Sequence, residues 1–354
     1  MTSIYAKTID SWIQQQFVFH LRWCGTFSEP FATTNGIRQG GIISPILFCV
    51  YIDELLIEIE KAGIGCWIGN HFYGAFGYAD DLTLLSPTVA GLKEMLSVCE
   101  KFSADYSVKY NPQKSVCMVF SRKNINAPMI KLCKEELKWV ASVKHLGTYL
   151  DCNMSENTEI RMKRSDMVQR VNYVLCTLGE CKEDVIKAVF NSKCAHFYGC
   201  QSWNLLDKHV CEFQTMWNRC IRRLLKLPNC THTRFLPIFM DSLSALEQVQ
   251  SRFFKLVQSM MKSDNVKVKY LSNFSIMKAN TLIGANMRNI AKKLDCDITD
   301  ILCLSSIAVK KRFLSQREEK DILCVKQILE LRYCILPGFN QDEVFNIFFN
   351  LCTM

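Results

Sequence analysis

Hydrophobic residues recur at two different intervals along the chain, and these intervals predict where helices and strands lie. After Ser44-Pro45, apolar residues follow one another three or four positions apart as far as Ile59, the spacing of one helix face. We predict that Ser44 caps this helix and that Ala62-Gly63 ends it. The same start signal returns at Ser86-Pro87, which predicts that Ser86 caps a second helix. Its apolar face comprises Val89, Leu92, Leu96, Cys99, Phe102 and Tyr106.

Short apolar runs separated by turn residues indicate strands between and after these helices. Residues 72–78 and 82–85 are predicted strands joined through Ala79-Asp80-Asp81. Residues 108–110 and 116–120 form two more, with Asn111-Pro112-Gln113-Lys114 as their turn. Residues 143–150 predict a further hairpin that bends near Gly147. Strands mixed with helices predict an α+β fold for the first 150 residues.

From Glu156 onward the spacing is helical almost throughout. One apolar face runs from Ile160 to Leu178, and another runs from Phe213 to Leu224. Basic residues accompany both faces, namely Arg161, Lys163, Arg164 and Arg170 on the first and Arg219, Arg222, Arg223 and Lys226 on the second. Basic side chains in a last helical turn also suit the helix dipole, which explains part of the second cluster.

Charge is distributed unevenly along the 354 residues. The net charge is +9, yet residues 1–150 carry 14 Lys and Arg against 13 Asp and Glu. The later part of the chain is therefore the better candidate for a surface that contacts phosphates. The sequence has no run of eighteen apolar residues and no signal-peptide core. We therefore expect an intracellular chain without a membrane partner, with nucleus and cytoplasm as open alternatives.

The 19 cysteines are scattered and form no Cys-x-x-Cys pair. In a long intracellular chain this pattern favours reduced thiols that serve as small buried hydrophobic side chains. The densest cluster comprises Cys194, His196, Cys200, His209 and Cys211. Zinc sites usually have closer paired spacing, so we favour core cysteines over a metal site there.

Two adjacent carboxylates, Asp80 and Asp81, stand at the predicted tip of a hairpin between apolar strands. Such a pair is costly unless a cation binds it, and Mg²⁺, which prefers oxygen ligands, is the usual partner. Nucleotide addition by two metal ions needs carboxylates of this kind, so the pair predicts half of such a site. Upstream, the loop Arg38-Gln39-Gly40-Gly41 combines flexible glycines with an amide that both donates and accepts hydrogen bonds.

In this order and spacing, the motifs resemble those of reverse transcriptases from non-LTR (LINE-type) retrotransposons. Residues 27–48 resemble the family's motif B, residues 77–85 motif C, residues 111–115 motif D and residues 145–147 motif E. Residues 198–203 and 219–228 are similar to the thumb region of these proteins. The resemblance therefore covers roughly residues 20–260.

The resemblance implies RNA-directed DNA synthesis, with an RNA template, a DNA primer and deoxynucleoside triphosphates as partners. It implies that Asp80 and Asp81 are catalytic metal ligands for two Mg²⁺ ions, with Mn²⁺ as a substitute. By the same resemblance, Tyr78 lies beneath the nucleotide or primer end, and Lys114 lies near the triphosphate. The nucleotide and template are bordered by Arg38, Gln39 and Gly40. The primer grip contains Leu146 and Gly147. A solvated turn lysine is an equal interpretation of Lys114. Candidate contacts to the nucleic-acid backbone are Arg161, Arg164, Arg219, Arg222 and Arg223.

The sequence also departs from the family pattern. Motif A of the family carries an essential aspartate in an apolar strand some dozens of residues before motif B, and no stretch here matches it. Asp10 lies too close to Gln39 and in different surroundings. We therefore expect the C-terminal part of a longer protein. We expect this chain to be inactive or nearly so, because the elements of a metal site act as a unit.

These observations predict an α+β fold in three parts. A partial polymerase palm of antiparallel hairpins and packed helices spans residues 1–150, a helical thumb-like domain spans 151–260, and a helical C-terminal extension of unknown role spans 261–354. Two alternatives stay open. One is a group II intron-type maturase, which also combines a Gln-Gly loop with a Tyr-Ala-Asp-Asp box. The other is a noncatalytic protein that binds nucleic acid through its arginines. The oligomeric state is not indicated.

Overall fold

The computed structural model describes residues 17–33, 41–121, 128–179, 181–195, 197–303 and positions 308, 309, 311, 312 and 315. In chain order its helices are α1 (Ser44–Lys61), α2 (Val89–Tyr106), α3 (Asn157–Leu178), α4 (Glu183–Val189), α5 (Lys208–Leu224), α6 (Phe235–Phe239), α7 (Ala245–Met261), α8 (Val266–Met277), α9 (Leu282–Leu294) and α10 (Ile298–Cys303). A π-helical turn follows α4 at Phe190–Cys194, and a 3-10 turn precedes α5 at Cys200–Ser202.

The strands are short and are arranged in small two-stranded sheets. They are β1 (Phe17–Phe19), β2 (Arg22–Trp23), β3 (Thr26–Phe27), β4 (Phe31–Thr33), β5 (Trp67–Ile68), β6 (His71–Phe72), β7 (Ala75–Tyr78), β8 (Asp81–Leu84), β9 (Val116–Cys117), β10 (Lys131–Leu132), β11 (Glu135–Glu136), β12 (Lys138–Trp139), β13 (Ser142–His145) and β14 (Thr148–Asp151). The pairs β1–β4, β2–β3, β5–β6, β7–β8 and β13–β14 are antiparallel, whereas β9 and β12 are parallel. The mixture of helices and hairpins agrees with an α+β fold.

The chain divides into two compact units. The first comprises residues 1–111 and 130–135, and the second comprises residues 112–129 and 136–354. The core of the second unit contains buried residues from Ile160 to Val309, so it continues across residue 260. The predicted division into a palm (1–150), a thumb-like domain (151–260) and an extension (261–354) stays a prediction.

The core of the first unit lies between α1 and α2, together with the hairpin of β7 and β8. Its buried residues are Leu55, Ile59, Phe72, Met95, Cys99 and Phe102. From the hairpin, Ala75, Leu82 and Leu84 pack against this cluster. Burying these apolar side chains is what holds the hairpin on the helices.

Both predicted helices of the first unit are confirmed, but their predicted caps are wrong. Ser44 is the first residue of α1 rather than its cap, and its buried hydroxyl has no hydrogen-bond partner. The end of α1 is as predicted, with Gly63 at φ +71°. Helix α2 is capped by Thr88, whose hydroxyl accepts a hydrogen bond from the Gly91 N–H over 3.0 Å. Ser86 instead donates its hydroxyl hydrogen to the Thr88 carbonyl.

The predicted strand at residues 108–110 is also wrong. Helix α2 ends at Tyr106; the next residue, Ser107, has a left-handed backbone with φ +57°, and the chain after it is irregular. Val108 and Tyr110 pack against the core of the first unit instead of pairing with a neighbouring strand. The other predicted strand of this pair is shorter than expected: β9 is only Val116–Cys117, and it pairs with β12 in parallel. Tertiary packing has overridden the local strand preference of this segment.

The second unit is mainly helical, as the spacing after Glu156 predicts. Met167 and Val171 of α3 and Phe213, Trp217 and Ile221 of α5 are almost completely buried. The hairpin β13–β14 is confirmed, with His145 opposite Thr148 across its turn.

Candidate metal and nucleic-acid sites

The acidic pair lies at the tip of the hairpin formed by β7 and β8. Tyr78 is paired with Asp81, so Ala79 and Asp80 form a two-residue turn. Directly opposed residues in an antiparallel pair project to the same face of a hairpin. The Asp81 carboxylate and the Tyr78 ring therefore share a face, with Asp80 beside them at the tip. Both carboxylates are exposed, and Tyr78 is 66% exposed.

Helix α1 supports this hairpin from one side. A Cβ atom built on Gly77 would lie 3.5 Å from Leu56 Cδ1 and 4.0 Å from Ile52 Cγ2, which are ordinary van der Waals distances, so β7 packs directly against α1. Ala79 has φ +50°, in the left-handed region that residues with a Cβ rarely adopt. Such a backbone costs about 1–2 kcal/mol. The strain lies directly beside the acidic pair, where backbone strain often accompanies function.

The acidic pair offers oxygen atoms, the ligand type that Mg²⁺ prefers. Within the described ranges, no group of three or more His, Cys, Asp or Glu side chains could hold a metal ion. Asp80 and Asp81 therefore fit one part of a divalent-cation site but do not complete it among the described residues.

Several predicted partners of the acidic pair cannot be located beside it. Arg38, Gln39 and Gly40 lie outside the described residues. Lys114 is exposed on the turn that precedes β9, as predicted for this segment. It belongs to the second unit, whereas Asp80 belongs to the first. The implied roles of these four residues stay predictions.

The predicted primer-grip residues form the turn between β13 and β14. Leu146 and Gly147 have φ values of +46° and +79°, so both have a left-handed backbone, the geometry of a tight two-residue hairpin turn. Leu146 is 37% exposed. The Tyr198 hydroxyl donates a hydrogen bond to the Leu146 carbonyl over 2.8 Å. Sequence reasoning did not assign Tyr198 to a site, although it lies in the stretch that resembles the thumb.

Helices α3 and α5 run side by side and in the same direction. Near their starts, Arg164 Nη1 lies 2.5 Å from Glu212 Oε2, and further along Arg223 Nη2 donates to Asn172 Oδ1 over 2.8 Å. Arg161 is exposed. A groove of about 480 Å³ is lined by Arg161, Arg164, Ser165, Val168, Gln169 and Met216. Two guanidinium groups and an amide at one groove are suited to phosphate oxygens.

The three arginines near the end of α5 have different surroundings. Arg219 and Arg223 are exposed. Arg222 is half-buried and donates to the Thr231 carbonyl from Nε over 3.2 Å and from Nη2 over 2.8 Å. Its guanidinium therefore holds the loop after α5, which is a structural role that the sequence did not predict.

The cysteine cluster is divided between core and surface. Cys194 and Cys200 are buried in the hydrophobic core of the second unit, whereas Cys211 is exposed. Burial raises the pKa of the Cys200 thiol to about 12. His196 lies outside the described residues. In the part of the chain that the structure describes, no helix is long and apolar enough to cross a membrane.

Comparison with known proteins shows what the first part of the chain is similar to. Residues 1–150 match the reverse transcriptase (RNA-dependent DNA polymerase) family. This region contains both the acidic hairpin and the β13–β14 turn. This region is thus similar to reverse transcriptases, a family that acts on nucleic acid and nucleotides and generally uses divalent metal ions.

The relatives that the chain resembles are proteins of mobile genetic elements. The chain is 22% identical over 246 residues to the RNA-directed DNA polymerase from mobile element jockey of Drosophila melanogaster, a match that covers 64% of this chain and 25% of that protein. It is 24% identical over 232 residues to the probable RNA-directed DNA polymerase from transposon BS of the same organism, a match that covers 59% of this chain and 24% of that protein. Over 90 residues, 25% of this chain and 8% of the relative, it is 37% identical to the retrovirus-related Pol polyprotein from type-2 retrotransposable element R2DM of D. melanogaster.

These matches confirm the resemblance to reverse transcriptases of non-LTR (LINE-type) retrotransposons. The chain spans about a quarter of the length of the jockey and BS polymerases.

Proposed function

We propose that this chain is the palm and thumb module of a non-LTR retrotransposon reverse transcriptase, which extends a DNA primer on an RNA template. The observation that carries the proposal is the acidic hairpin, with Tyr78 opposite Asp81 and Asp80 at the exposed tip. The relatives are named as RNA-directed DNA polymerases of mobile elements, which favours this class over an intron maturase.

In this proposal Asp80 and Asp81 supply carboxylate oxygens to a divalent cation, Mg²⁺ or its substitute Mn²⁺. Such a cation assists attack by a primer hydroxyl and stabilises the charge on the transferred phosphate. Tyr78 lies beneath the primer end or the incoming nucleotide. Arg38, Gln39 and Gly40 border the nucleotide and template, and Lys114 acts near the triphosphate.

The β13–β14 turn, with Leu146 and Gly147, acts in the proposal as the primer grip. The exposed arginines of α3 and α5 bind the phosphate backbone of the primer–template duplex. Arg161 and Arg164 line one groove, which supports a shared role for them. Arg222 contributes indirectly, because its guanidinium already binds the Thr231 carbonyl.

We expect this 354-residue chain on its own to add few or no nucleotides. Its sequence contains no recognisable aspartate of the motif A type, and two adjacent carboxylates are too few ligands for two cations. The residues of one catalytic site act as a unit, so the loss of one of three carboxylate ligands removes far more than a third of the activity.

Primer extension tests the proposal. The fingers and motif A segment of the jockey polymerase are fused ahead of this chain, and extension of a DNA primer on RNA is measured with Mg²⁺ and then Mn²⁺. We expect the fusion to extend the primer and the unfused chain to fail. Asp80→Asn/Asp81→Asn should abolish extension by the fusion. Glu135→Gln/Glu136→Gln removes another adjacent, exposed acidic pair and should leave extension intact.

Two outcomes would contradict parts of this proposal. A folded fusion that fails while the jockey polymerase itself works would reject the polymerase module. Extension by the unfused chain would show that another carboxylate completes the site and would reject the proposed inactivity.

A noncatalytic role in binding nucleic acid is the second candidate, and the arginine-lined groove at α3 favours it. Both candidates predict binding that weakens steeply with salt. They differ in the fusion experiment, because a protein that only binds nucleic acid would give no extension with either metal ion.

A further inference from the structure

The turn between β13 and β14 is held by a tyrosine from a distant part of the chain. The Tyr198 hydroxyl donates to the Leu146 carbonyl over 2.8 Å, and these residues are 52 positions apart. A Cβ atom on Gly147 would lie 3.1 Å from Tyr198 Cε1. The tyrosine thus binds the turn through its hydroxyl, and its ring edge leaves little room for a side chain at position 147.

Gly199, the residue after Tyr198, lies close to the hairpin. Gly199 has φ +82°, and a Cβ atom on it would lie 2.4 Å from Thr148 Cγ2. A side chain at position 199 would therefore collide with β14. Glycine at this position lets the backbone beside Tyr198 approach the hairpin directly.

Helix α3 holds the same hairpin from another side. Glu159 Oε2 accepts a hydrogen bond from the Tyr149 N–H over 2.8 Å, and Glu159 Oε1 lies 3.5 Å from Lys163 Nζ. Lys163 Nζ in turn lies 5.7 Å from the centroid of the Tyr198 ring, a cation–π distance. The turn, helix α3 and Tyr198 therefore form one connected cluster.

This cluster restrains an exposed part of the protein. Tyr198 is 56% exposed and Leu146 is 37% exposed, so their contact removes little apolar surface from water. The hairpin already has four cross-strand residue pairs that set its register. The hydroxyl contact is therefore better explained by orientation of the turn than by stability of the fold.

We propose that Tyr198 is a positioning residue that fixes the Leu146–Gly147 turn, through its hydroxyl, in the orientation that binds the primer end. The inference rests on the proposed primer-grip role of this turn. Tyr198 itself does not contact the reacting atoms. It acts by limiting the orientations of the Leu146 carbonyl and the adjacent peptide.

Photocrosslinking of a primer–template duplex to the full chain tests this inference. The probe is a DNA primer annealed to RNA, with a photoreactive group on its 3′-terminal nucleotide, and crosslinked peptides are identified by mass spectrometry. In the wild-type chain we expect crosslinks to residues 145–148. Tyr198→Phe keeps the ring and removes only the hydroxyl, and it should reduce these crosslinks about fivefold, the effect of one neutral hydrogen bond.

Overall affinity and thermal stability distinguish positioning from a structural role. For Tyr198→Phe, we expect the duplex Kd to stay within about twofold and the thermal midpoint to stay unchanged, because the arginines carry most of the binding. Hydrogen exchange of residues 146–148 should quicken in the variant. Tyr173→Phe removes a hydroxyl from a tyrosine that is 71% exposed on α3, and it should change none of these readouts.

The possible failures have different meanings. Wild-type crosslinks at the turn that persist undiminished in Tyr198→Phe would overturn the positioning role and leave the primer grip standing. A wild-type chain that binds the duplex but never crosslinks at the turn would overturn the primer grip and, with it, this inference. A fall in thermal midpoint that matches the loss of crosslinks would show a structural role instead.

Discussion

The side chain of Asn286 donates a hydrogen bond from Nδ2 to the backbone carbonyl of Trp203 over 2.8 Å, joining α9 to a segment 83 residues earlier. Its Oδ1 atom accepts from the Leu205 N–H over 2.9 Å. Asn286 is completely buried. One amide group thus satisfies a donor and an acceptor of the irregular segment before α5, a segment that cannot satisfy them within a helix.

Replacing Asn286 should destabilise the second unit strongly. Asn286→Ala leaves a buried carbonyl and a buried N–H without partners, each of which costs about 1–3 kcal/mol. We expect a loss of about 3 kcal/mol in the free energy of unfolding, measured by urea denaturation. Asn229→Ala, at an exposed loop position, is the control and should stay within about 0.5 kcal/mol of wild type. Equal stability of both variants would refute the role of Asn286.

The arginines of α3 and α5 should separate into two groups when replaced. Arg161→Ala and Arg219→Ala, at exposed positions, should weaken binding to a primer–template duplex and reduce the salt slope by about 0.9 each. Arg222→Ala should instead lower stability by about 1.5–3 kcal/mol, because it removes charged donors from the Thr231 carbonyl. Fluorescence anisotropy at several salt concentrations, combined with denaturation, measures both effects.

Lys255→Ala is the control for this experiment, since it removes one exposed positive charge from α7. It should change the salt slope less than Arg161→Ala does. A salt slope that falls equally in both variants would indicate that the whole basic surface binds nucleic acid diffusely, without a preferred groove.

The carboxyl group of Glu156 should make stability depend on pH. Burial raises its pKa, although its Oε1 accepts a hydrogen bond from the Asn204 N–H over 3.2 Å. The folded chain therefore holds this proton more tightly than the unfolded chain does. Stability from this group is present below the unfolded pKa and is lost as pH rises through the folded pKa.

Glu156→Gln imitates the protonated form and keeps an oxygen for the Asn204 N–H. Relative to wild type, the variant should become more stable as the pH rises from about 4.5 to 7.5. Urea denaturation at several pH values measures this difference. Glu94→Gln, which removes an exposed carboxylate from α2, is the control for loss of one charge. A difference that narrows with rising pH would have the wrong sign for a raised pKa.

The cysteines should differ sharply in their reactivity. Burial raises the pKa values of Cys99 and Cys200 to about 12 and that of Cys220 to about 11, so their thiolate fractions at pH 8 are minute. Cys211 and Cys230 are exposed. With N-ethylmaleimide at pH 8, we expect the two exposed thiols to react within minutes and the three buried thiols only after unfolding. Mass spectrometry of digested samples measures each site, and labelling of Cys200 as fast as Cys211 would show that the core is open.

Local patterns account for what could be predicted of this fold. The helical faces of α1, α2, α3 and α5 follow the three-and-four spacing of their apolar residues, and the two hairpins at Asp80 and Gly147 follow their turn residues. The failures have a common cause. Ser44 and Ser86 have the right chemistry for a cap, but neighbouring residues occupy the capping position. The segment at Val108 has strand-forming residues, but Val108 and Tyr110 pack against the hydrophobic core of the first unit instead of pairing in a sheet.

The residues of the candidate site could likewise be predicted only in part from the sequence. The acidic pair, the turn at Gly147 and the basic residues are visible in the sequence because motif order and residue type are properties of the chain itself. The contact of Tyr198 with Leu146 and the engagement of Arg222 by Thr231 are not visible there. Hydrogen-bond partners between elements depend on how the elements pack.

The sequence by itself determined the type and order of the main helices and hairpins and the family that the first 150 residues resemble, because periodicity, turn chemistry and motif spacing act over a few residues. Only the tertiary structure decided which arginines stay exposed, which thiols are buried, and that Asn286 and Tyr198 hold segments far from them in the chain. Burial and hydrogen bonding between distant residues arise when helices pack around a shared core, and no local pattern encodes that packing.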